Sequence, residues 1–123
     1  YDVEDVVEFH IHPNNIPELL RQADIYISTS LFEGTSNSIV EAMNCCLPVV
    51  CTNVGDNDKL VLDGENGYLA EIGDAEQMAA KLKNLIADVN LRQEMGLRSN
   101  QILSGNYSID IFEERYLKLI QGK

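Results

Sequence analysis

The amino-acid sequence predicts an α/β domain, built on a parallel β-sheet with flanking helices. Short apolar segments alternate with segments of helical spacing over the first half of the chain, and the segment from Pro48 to Thr52, PVVCT, is apolar almost throughout. Alternating strands and helices are typical of a parallel sheet joined by right-handed crossovers. A strand without a polar face is typical of a sheet that is buried on both sides. With 123 residues, the chain is expected to form a single domain, residues 1–123.

Strands and helices can be assigned in order along the first half of the chain. Val6 to Ile11 is predicted to be the first strand, and a short helix is predicted from Pro17 through Arg21, because proline is favoured in the first turn of a helix. The segment DIYISTS, which begins at Asp24, is rich in β-branched and aromatic residues and predicts the second strand. SNSIVEAMNCC predicts a helix with one apolar face, and PVVCT is the third strand. The apolar face of that helix consists of Ile39, Val40 and Met43.

The second half of the chain is predicted to be mostly helical after one more strand. DGENGYLA supplies a glycine-rich turn and that last short strand. Asp74 and Gln77 have the spacing of a capping pair for the helix that follows. The apolar residues of this helix are Met78, Leu82, Leu85 and Ile86. Two further helices are predicted over Leu91 to Leu103 and over Ile109 to Ile120. The residues of the last helix expected to face inward are Phe112, Tyr116, Leu119 and Ile120.

Composition and charge narrow the classes of function. A formal net charge of −11 and a pI near 4.4 argue against nucleic acid as a partner, because nonspecific binding needs basic side chains to meet phosphate. No apolar run approaches the roughly 20 residues that span a bilayer. Three cysteines, with Cys45 and Cys46 adjacent, match neither a disulfide framework nor a zinc site, and they are expected to be buried thiols in a reducing cytoplasm. Because the sequence opens on a strand-like pattern without Met, it is expected to be part of a longer protein.

The segment after the second strand, STSLFEGTSNSIVEAM, has the features of a ligand-binding junction. It passes through a glycine and enters a helix by way of small hydroxyl and amide side chains. In parallel sheets, ligands bind at the carboxyl ends of the strands, where loops lead into helix N-termini. Such a junction exposes backbone N–H groups at the positive end of the helix dipole, which favours an anion such as phosphate. The structural alternative is that the Ser and Asn side chains only cap the helix.

Two glutamates strengthen the interpretation of this junction as a binding site. Glu41 follows Asn37 and Ser38 by four and three residues, so helical spacing places it on their face, where a carboxylate can accept from the two hydroxyls of a ribose. Glu33 lies in the loop before the helix and is placed to meet a group beyond the phosphates. The alternative for Glu41 is structural, because Ser38 and Glu41 also have the spacing of a capping box. The alternative for Glu33 is plain solvent exposure.

These motifs carry a resemblance to a known family. The stretch from Asp24 to Ala70, with EGTSNSIVEAMNCCLPVVCTNVG at its centre, resembles the family 4 (group 1) glycosyltransferases, retaining enzymes of the two-domain GT-B fold. Their signature is Glu, seven residues and Glu, followed by Ala-Met, a Pro-Val-Val strand and a Val-Gly turn, and Glu33 and Glu41 match that spacing. The resemblance covers the second half of the C-terminal, Rossmann-like, donor-binding domain of such enzymes.

The resemblance implies a role for each residue of the junction. Glu33 is implied to be the catalytic residue that contacts the transferred sugar, with a positioning rather than a nucleophilic role, and Glu41 is implied to bind the ribose of the nucleotide. Residues around His12 to Asn15 correspond to a region that can touch the base. The donor-binding loop implied to hold the diphosphate consists of Gly34, Thr35, Ser36, Asn37 and Ser38. The implied reaction is the transfer of a hexose from a UDP- or GDP-sugar to a glycan or lipid acceptor, with retention.

The sequence departs from the pattern of the family at several positions near this loop. Many members have Gly-Phe-Gly where this chain has Gly34, Thr35 and Ser36. Cys46 stands where Gly is usual, Asp56 replaces a second Gly, and Lys59 stands where Glu often falls. These changes bear on the choice of donor more than on the fold.

Positive charge is scarce in the predicted site. No Lys or Arg lies between Arg21 and Lys59, and a helix dipole contributes only about 0.3 to 2 kcal/mol to anion binding, so further cations are expected from elsewhere. In the family, an earlier part of the same domain supplies them, and the acceptor site lies on a separate N-terminal domain. The resemblance implies that neither a metal nor another cofactor is needed. His10 and His12 share a face of the predicted strand, as a metal pair could, but without a third ligand they are expected to be ordinary strand or loop residues.

The leading interpretation is the donor-binding part of a glycosyltransferase of polysaccharide or glycolipid biosynthesis. Such a protein is expected in the cytoplasm or at the inner face of the membrane, with any membrane association made by the missing N-terminal domain. The chain alone is expected to be inactive and to self-associate through a sheet edge that lacks its preceding strands. The alternatives are a noncatalytic nucleotide-sugar-binding or interaction module and a related nucleotide-sugar epimerase.

Overall fold

A computed structural model describes residues 2–122 of the chain. Its elements follow one another as a short 3₁₀ turn and then alternating helices and strands, ending in three consecutive helices. They are the turn Glu4–Val6, α1 (Ile16–Gln22), β1 (Tyr26–Ser28), α2 (Asn37–Asn44), β2 (Val49–Thr52), α3 (Asn57–Leu60), β3 (Gly67–Ala70), α4 (Ala75–Ala87), α5 (Val89–Tyr107) and α6 (Ile109–Ile120).

The three strands form one parallel sheet in the order β1-β2-β3. Tyr26 pairs with Val49, and Val49 pairs with Gly67 in the neighbouring strand. All four residues of β2 are buried, as its apolar sequence predicts for the central strand of a covered sheet. The predicted α/β class with a parallel, helix-flanked sheet is therefore confirmed.

Alternate residues of β2 enter two separate apolar cores, because successive side chains of a strand point to opposite faces. Val49 and Cys51 belong to the core on one face, together with Ile39 and Met43 of α2. Val50 belongs to the core on the other face, which α4 covers through Leu85. The apolar face predicted for α2 is thus confirmed, and the two faces of the sheet are covered by different helices.

Helix α5 contributes to both cores and is fixed at two further points. Met95 lies in the core beside Val50, whereas Ile102 lies in the core beside α2. Gly96 lies against the end of α2, where a Cβ built on it would be 2.1 Å from the carbonyl oxygen of Cys46. Ser99 is fully buried and donates to the carbonyl oxygen of Asn66 at 3.3 Å. This helix therefore connects the two sides of the sheet.

The predicted first strand, Val6 to Ile11, is wrong. Residues 4–6 form a 3₁₀ turn, and residues 7–11 form no ladder in the described part of the chain. Val6, Phe9 and Ile11 are between 82% and 85% exposed. A strand is stabilised by hydrogen bonds to a neighbouring strand, and the ladder partner of β1 is β2 alone within residues 2–122. The β-type sequence of this segment therefore stays unpaired, and it does not occupy the free side of β1.

The prediction that α6 faces inward is also wrong. The helix occupies the predicted range, but none of its residues is buried, and its main packing partner is α5. The four residues predicted to face inward are exposed by 54% to 74%: Phe112, Tyr116, Leu119 and Ile120. Phe112 and Tyr116 stack on each other with ring centroids 6.0 Å apart. An amphipathic sequence predicts that one face of a helix is apolar and favours burial. It does not predict that residues of the same chain bury that face.

Smaller features also differ from the predictions. Asp74 caps α4 by accepting from the backbone N–H of Gln77 at 2.9 Å, but the Gln77 side chain accepts from Glu71 N–H instead of completing the reciprocal pair. Only Cys51 is buried among the cysteines, and burial raises its pKa to about 12. Cys45 is half-buried and Cys46 is exposed, so the expectation of three buried thiols fails at these two positions.

Candidate functional site

The loop between β1 and α2 lies at the carboxyl end of the sheet, beside the loop that follows β2. Gly55, in the second loop, has φ of 53° and a Cβ built on it would lie 2.0 Å from the carbonyl oxygen of Glu33. Asp56 N–H donates to the carbonyl oxygen of Gly34 at 3.2 Å. Only glycine permits this approach without strain. The two loops therefore support each other at the place where ligands bind parallel sheets.

Helix α2 begins at Asn37, and Ser36 is its N-cap. Ser36 is buried, with 2% of the residue exposed. Its hydroxyl accepts a hydrogen bond from the backbone N–H of Ile39 at 3.4 Å. It also lies 3.1 Å from the Ser38 hydroxyl. The capping-box alternative for Ser38 and Glu41 is thus wrong, because the helix starts two residues earlier than that box requires. Glu41 lies in the second turn and has no capping task.

Glu41 lines an open groove between α2 and α1. The groove has a volume of about 390 Å³. Its lining combines apolar side chains with amide, carboxylate and guanidinium groups, from Asn14, Ile16, Pro17, Leu20, Arg21, Glu41, Asn44 and Cys45. The predicted base-contact segment is therefore represented here by Asn14, on the same surface as Glu41. Arg21 also lines the groove, because α1 packs beside α2. In the sequence, Arg21 stands out only as the last basic residue before a stretch without Lys or Arg.

Gly34 leaves its side of the loop open. A Cβ built on this residue would meet no protein atom within 4 Å, in contrast to the crowded Gly55. The space beside Gly34 is thus available to a ligand, as the resemblance implies for a residue that approaches a diphosphate. The groove of Glu41 does not include Glu33 or the residues from Gly34 to Ser38 in its lining. The predicted site therefore has two parts, the groove and the loop, joined by the first turn of α2.

Glu33 is half-buried, and its carboxylate is held from within the protein. Its Oε1 accepts from the Ser30 hydroxyl at 2.8 Å. The carbonyl oxygen of Ser30 accepts in turn from the Thr52 hydroxyl at 2.6 Å. The alternative of plain solvent exposure for Glu33 is therefore wrong, since its side chain has a defined partner. Ser30 and Thr52 are not among the site residues predicted from the sequence, because only the parallel pairing of β1 and β2 brings the ends of these strands together.

Three positions that depart from the family pattern are neighbours in space. Thr35 donates to Asp56 Oδ2 at 3.1 Å, and Lys59 Nζ lies 2.8 Å from Asp56 Oδ1. Two hydrogen bonds hold the pKa of the exposed Asp56 carboxyl below its usual range, and the one from Lys59 has a larger effect than the one from Thr35. The Asp56 carboxylate in turn raises the pKa of Lys59. These substitutions therefore form one polar bridge between the loop and α3. They also bring a cation close to the loop, where the sequence alone showed none.

Residues 2–122 contain no cluster of three or more His, Cys, Asp or Glu side chains that could hold a metal ion. His10 is paired with Glu8, its Nε2 lying 3.1 Å from Oε1. None of the described helices combines the length and the apolar character needed to cross a bilayer.

Comparison with known proteins identifies the relatives of this chain. Residues 2–88 match the family described as Glycosyl transferases group 1. The lipopolysaccharide core biosynthesis glycosyltransferase LpsE of Rhizobium meliloti is 33% identical over 104 residues, which are 85% of this chain and 31% of that protein. The chain thus spans less than a third of the length of this curated relative.

Solved structures agree with the sequence match. The C-terminal domain of a glycosyl transferase group 1 family protein, LpcC of Francisella tularensis, superposes with a TM-score of 0.73 at 33% identity, covering 84% of this chain and 53% of that one. Anabaena HepE, solved in complex with UDP-glucose, superposes with a TM-score of 0.86 at 26% identity, covering 98% of this chain and 33% of that one. The sheet and helices described above are therefore those of the C-terminal domain in such proteins.

Proposed function

The chain belongs to the glycosyl transferases of group 1, and on that premise we propose that it is the donor-binding part of a sugar-transferring enzyme. The whole enzyme transfers a hexose from a nucleotide diphosphate sugar, a UDP- or GDP-sugar, to a glycan or lipid acceptor with retention. It works in polysaccharide or glycolipid synthesis in the cytoplasm, at the inner membrane face where the acceptor is a lipid. The similarity to HepE, which was solved with UDP-glucose, supports a nucleotide sugar as the donor.

One observation carries this proposal: Glu41 is free of any capping task and faces a groove. Since Ser36 caps α2, the Glu41 carboxylate is available to the two hydroxyls of a ribose. Asn14 and the apolar residues of α1 line the same groove and provide a surface for the base. Arg21 adds positive charge at this position. A nucleoside in the groove would direct its phosphates toward the N-terminus of α2.

The proposed roles of the loop residues follow from their positions. The diphosphate lies against the open side of Gly34 and the first turn of α2, where backbone N–H groups and the helix dipole stabilise negative charge as the nucleoside diphosphate leaves. The amides are those of Gly34, Thr35, Ser36, Asn37 and Ser38. Glu33 contacts the transferred sugar and orients it. The proposed reaction uses no metal, and the remaining cations come from the rest of the protein.

The ribose assignment is tested with Glu41→Gln in the full-length protein. We expect UDP binding to weaken about tenfold or more, because losing a hydrogen bond to a charged group costs about 1.5 to 3 kcal/mol. The free energy of unfolding is expected to change by less than about 0.5 kcal/mol, since the exposed side chain makes no cap. Glu94→Gln removes an equivalent exposed charge from α5 and serves as the control. Normal UDP affinity combined with a lower melting temperature would leave Glu41 only a structural role.

The sugar assignment is tested with Glu33→Ala in the same protein. Transfer is expected to fall far more than the affinity for UDP, because Glu33 contacts the sugar and not the nucleotide. Calorimetry with UDP and with the UDP-sugar, together with a transfer assay, separates these effects. An equal loss of affinity for both ligands would show that Glu33 and Glu41 have been assigned the wrong partners.

The 123 residues assayed alone are expected to transfer no sugar and to bind nucleotide sugars weakly. Catalysis by positioning needs donor and acceptor to be held together, and this chain spans less than a third of the relative LpsE. Donor-dependent transfer by the purified chain, free of full-length enzyme by mass spectrometry, would require an acceptor site within these residues.

A further inference from the structure

A chain of hydrogen bonds runs from the interior of the protein to the carboxylate of Glu33. Asn57 Nδ2 donates to the carbonyl oxygen of Thr52 at 2.9 Å. The Thr52 hydroxyl donates to the carbonyl oxygen of Ser30 at 2.6 Å, and the Ser30 hydroxyl donates to Glu33 Oε1 at 2.8 Å. The chain thus links α3, the end of β2 and the end of β1 to one carboxylate oxygen.

The polarity of this chain follows from the chemistry of its groups. An ionised carboxylate only accepts, so the single proton of the Ser30 hydroxyl is committed to Glu33. Ser28 lies 3.3 Å from the same hydroxyl and therefore donates to it. Ser28, Thr52 and Asn57 are 8%, 5% and 0% exposed, so the far end of the chain is fixed by the packed interior. Hydrogen bonds in such surroundings are stronger than in water.

The backbone of Glu33 is fixed from the same side. Its carbonyl oxygen lies against Gly55, and the carbonyl oxygen of the next residue, Gly34, accepts from Asp56 N–H at 3.2 Å. Main chain and side chain are thus held by residues of β2 and its following loop. A side chain held at both ends loses little freedom when it meets a ligand.

We propose that Ser30 is a positioning residue for Glu33, and that Thr52 and Asn57 position Ser30. This inference rests on the proposed function, because it takes Glu33 as the carboxylate that contacts the transferred sugar. Oε1 is tied to the protein through Ser30, whereas Oε2 accepts from a hydroxyl of the sugar. The hydroxyl at residue 30 therefore acts on the sugar half of the donor and leaves the nucleotide half unaffected.

The test uses Ser30→Ala in the full-length protein, with Ser99→Ala as the matched control. Ser99 is a buried serine whose hydroxyl bonds to Asn66 on the far side of the domain, so its loss affects stability without touching the loop. The first probe is the nucleotide sugar that gives the largest thermal shift among UDP-glucose, UDP-N-acetylglucosamine and GDP-mannose. The second probe is the matching nucleoside diphosphate, which is UDP for the first two sugars and GDP for the third. The measurements are calorimetric affinities and kcat for release of the sugar.

Ser30→Ala is expected to leave the affinity for the bare nucleoside diphosphate within about twofold and to lower kcat about tenfold, the effect of losing one hydrogen bond to a charged group. Ser99→Ala is expected to change neither quantity. Thr52→Val is expected to behave like Ser30→Ala in weaker form, and Thr52→Ser, which keeps the hydroxyl, is expected to restore the wild-type values. The double variant Ser30→Ala, Glu33→Ala is expected to be no slower than Glu33→Ala alone, because Ser30 acts only through Glu33.

The possible failures are distinguishable. If Glu33→Ala retains full activity, or if no probe binds, the proposed function fails and this inference falls with it. If Glu33→Ala loses activity while Ser30→Ala and Thr52→Val both keep the wild-type kcat, the proposed function stands and Ser30 has no positioning role. The same conclusion follows if Ser30→Ala further slows the Glu33→Ala variant. Should Ser30→Ala not fold, the comparison of Thr52→Val with Thr52→Ser decides the question by the same criteria.

Discussion

Cys46 directly follows the C-cap of helix α2, Cys45, and has a backbone conformation that suits glycine. Its φ is 58°, in the left-handed region, and its N–H donates to the carbonyl oxygen of Met43 at 3.1 Å. A Cβ is unfavourable in this conformation by roughly 1 to 2 kcal/mol. The strain therefore has a simple origin, because Cys46 stands where Gly is usual in the family.

Replacing Cys46 by Gly is expected to raise the free energy of unfolding by about 1 kcal/mol, since the gain from relieving the Cβ exceeds the added entropy of the unfolded chain. Urea denaturation measures the change. Cys46→Ala is the control, because it removes the thiol but keeps the Cβ, and no gain is expected. Equal stabilisation by Ala and Gly would attribute the effect to the sulfur and not to the backbone.

The lowered pKa of Asp56 predicts that part of the folding stability depends on pH, and substitution of Asp56 isolates that part. The pKa of this carboxyl is lowered in the folded protein, chiefly by Lys59 and then by Thr35. A lowered folded pKa means that the interaction stabilises the folded state above the ordinary Asp value of about 3.9 and is lost as the pH falls through the lower folded value.

Asp56→Asn is therefore expected to be less stable than the wild type by a constant amount at pH 5 to 7, and the difference is expected to shrink below about pH 3.9. Melting temperatures measured from pH 3 to 7 give this difference directly. A difference that stays constant down to pH 3 would contradict the lowered pKa.

At the scale of elements, Gly96 controls how closely α5 approaches α2. Gly→Ala within a helix normally stabilises it by about 0.5 to 1 kcal/mol. At Gly96 the sign is expected to reverse, with a loss of about 1 to 3 kcal/mol, because the new Cβ would lie 2.1 Å from the carbonyl oxygen of Cys46. Gly105 lies in the same helix with no atom within 4 Å of a built Cβ, so Gly105→Ala is expected to stabilise the protein. Denaturation of the two variants tests the pair, and stabilisation by both would show that α5 is free to shift away from α2.

The sequence correctly predicts those elements for which the local pattern of apolar residues indicates burial. β2 is apolar on both faces and is buried on both faces. The segment Val6 to Ile11 has equally strong strand character, yet it forms no ladder, because local pattern does not determine whether a segment reaches the edge of a sheet. The site shows the same division. The spacing of Glu33 and Glu41 was readable, whereas the support of Glu33 by Thr52 depends on the ladder that brings β1 and β2 together.

At the scale of the whole molecule, one side of β1 is unpaired within the described residues. β1 pairs only with β2 in residues 2–122, and Ile27 on this strand is 42% exposed. Unpaired strand edges with apolar side chains favour pairing with another chain. The isolated 123 residues are therefore expected to associate as their concentration rises.

Ile27→Lys is expected to lower this self-association, because charge on an edge strand opposes pairing. Sedimentation velocity over a range of concentrations measures the effect. Leu97→Lys, which places the same charge at an exposed apolar position of α5, is the control and should leave association unchanged. If Phe112→Lys prevents association and Ile27→Lys does not, the apolar side of α6 and not the β1 edge is responsible.

The double contribution of α5 also has a consequence for how the domain opens. Met95 and Ile102 lie seven positions apart on one helix but in cores on opposite sides of the sheet. Because α5 contributes to both cores, its detachment would disrupt both at once. We therefore expect residues from β1 through α5 to behave as a single cooperative unit in native-state hydrogen exchange. The Cys51 thiol should become accessible to alkylation only in that global event, whereas α6, which buries none of its residues, should exchange at a much lower free energy.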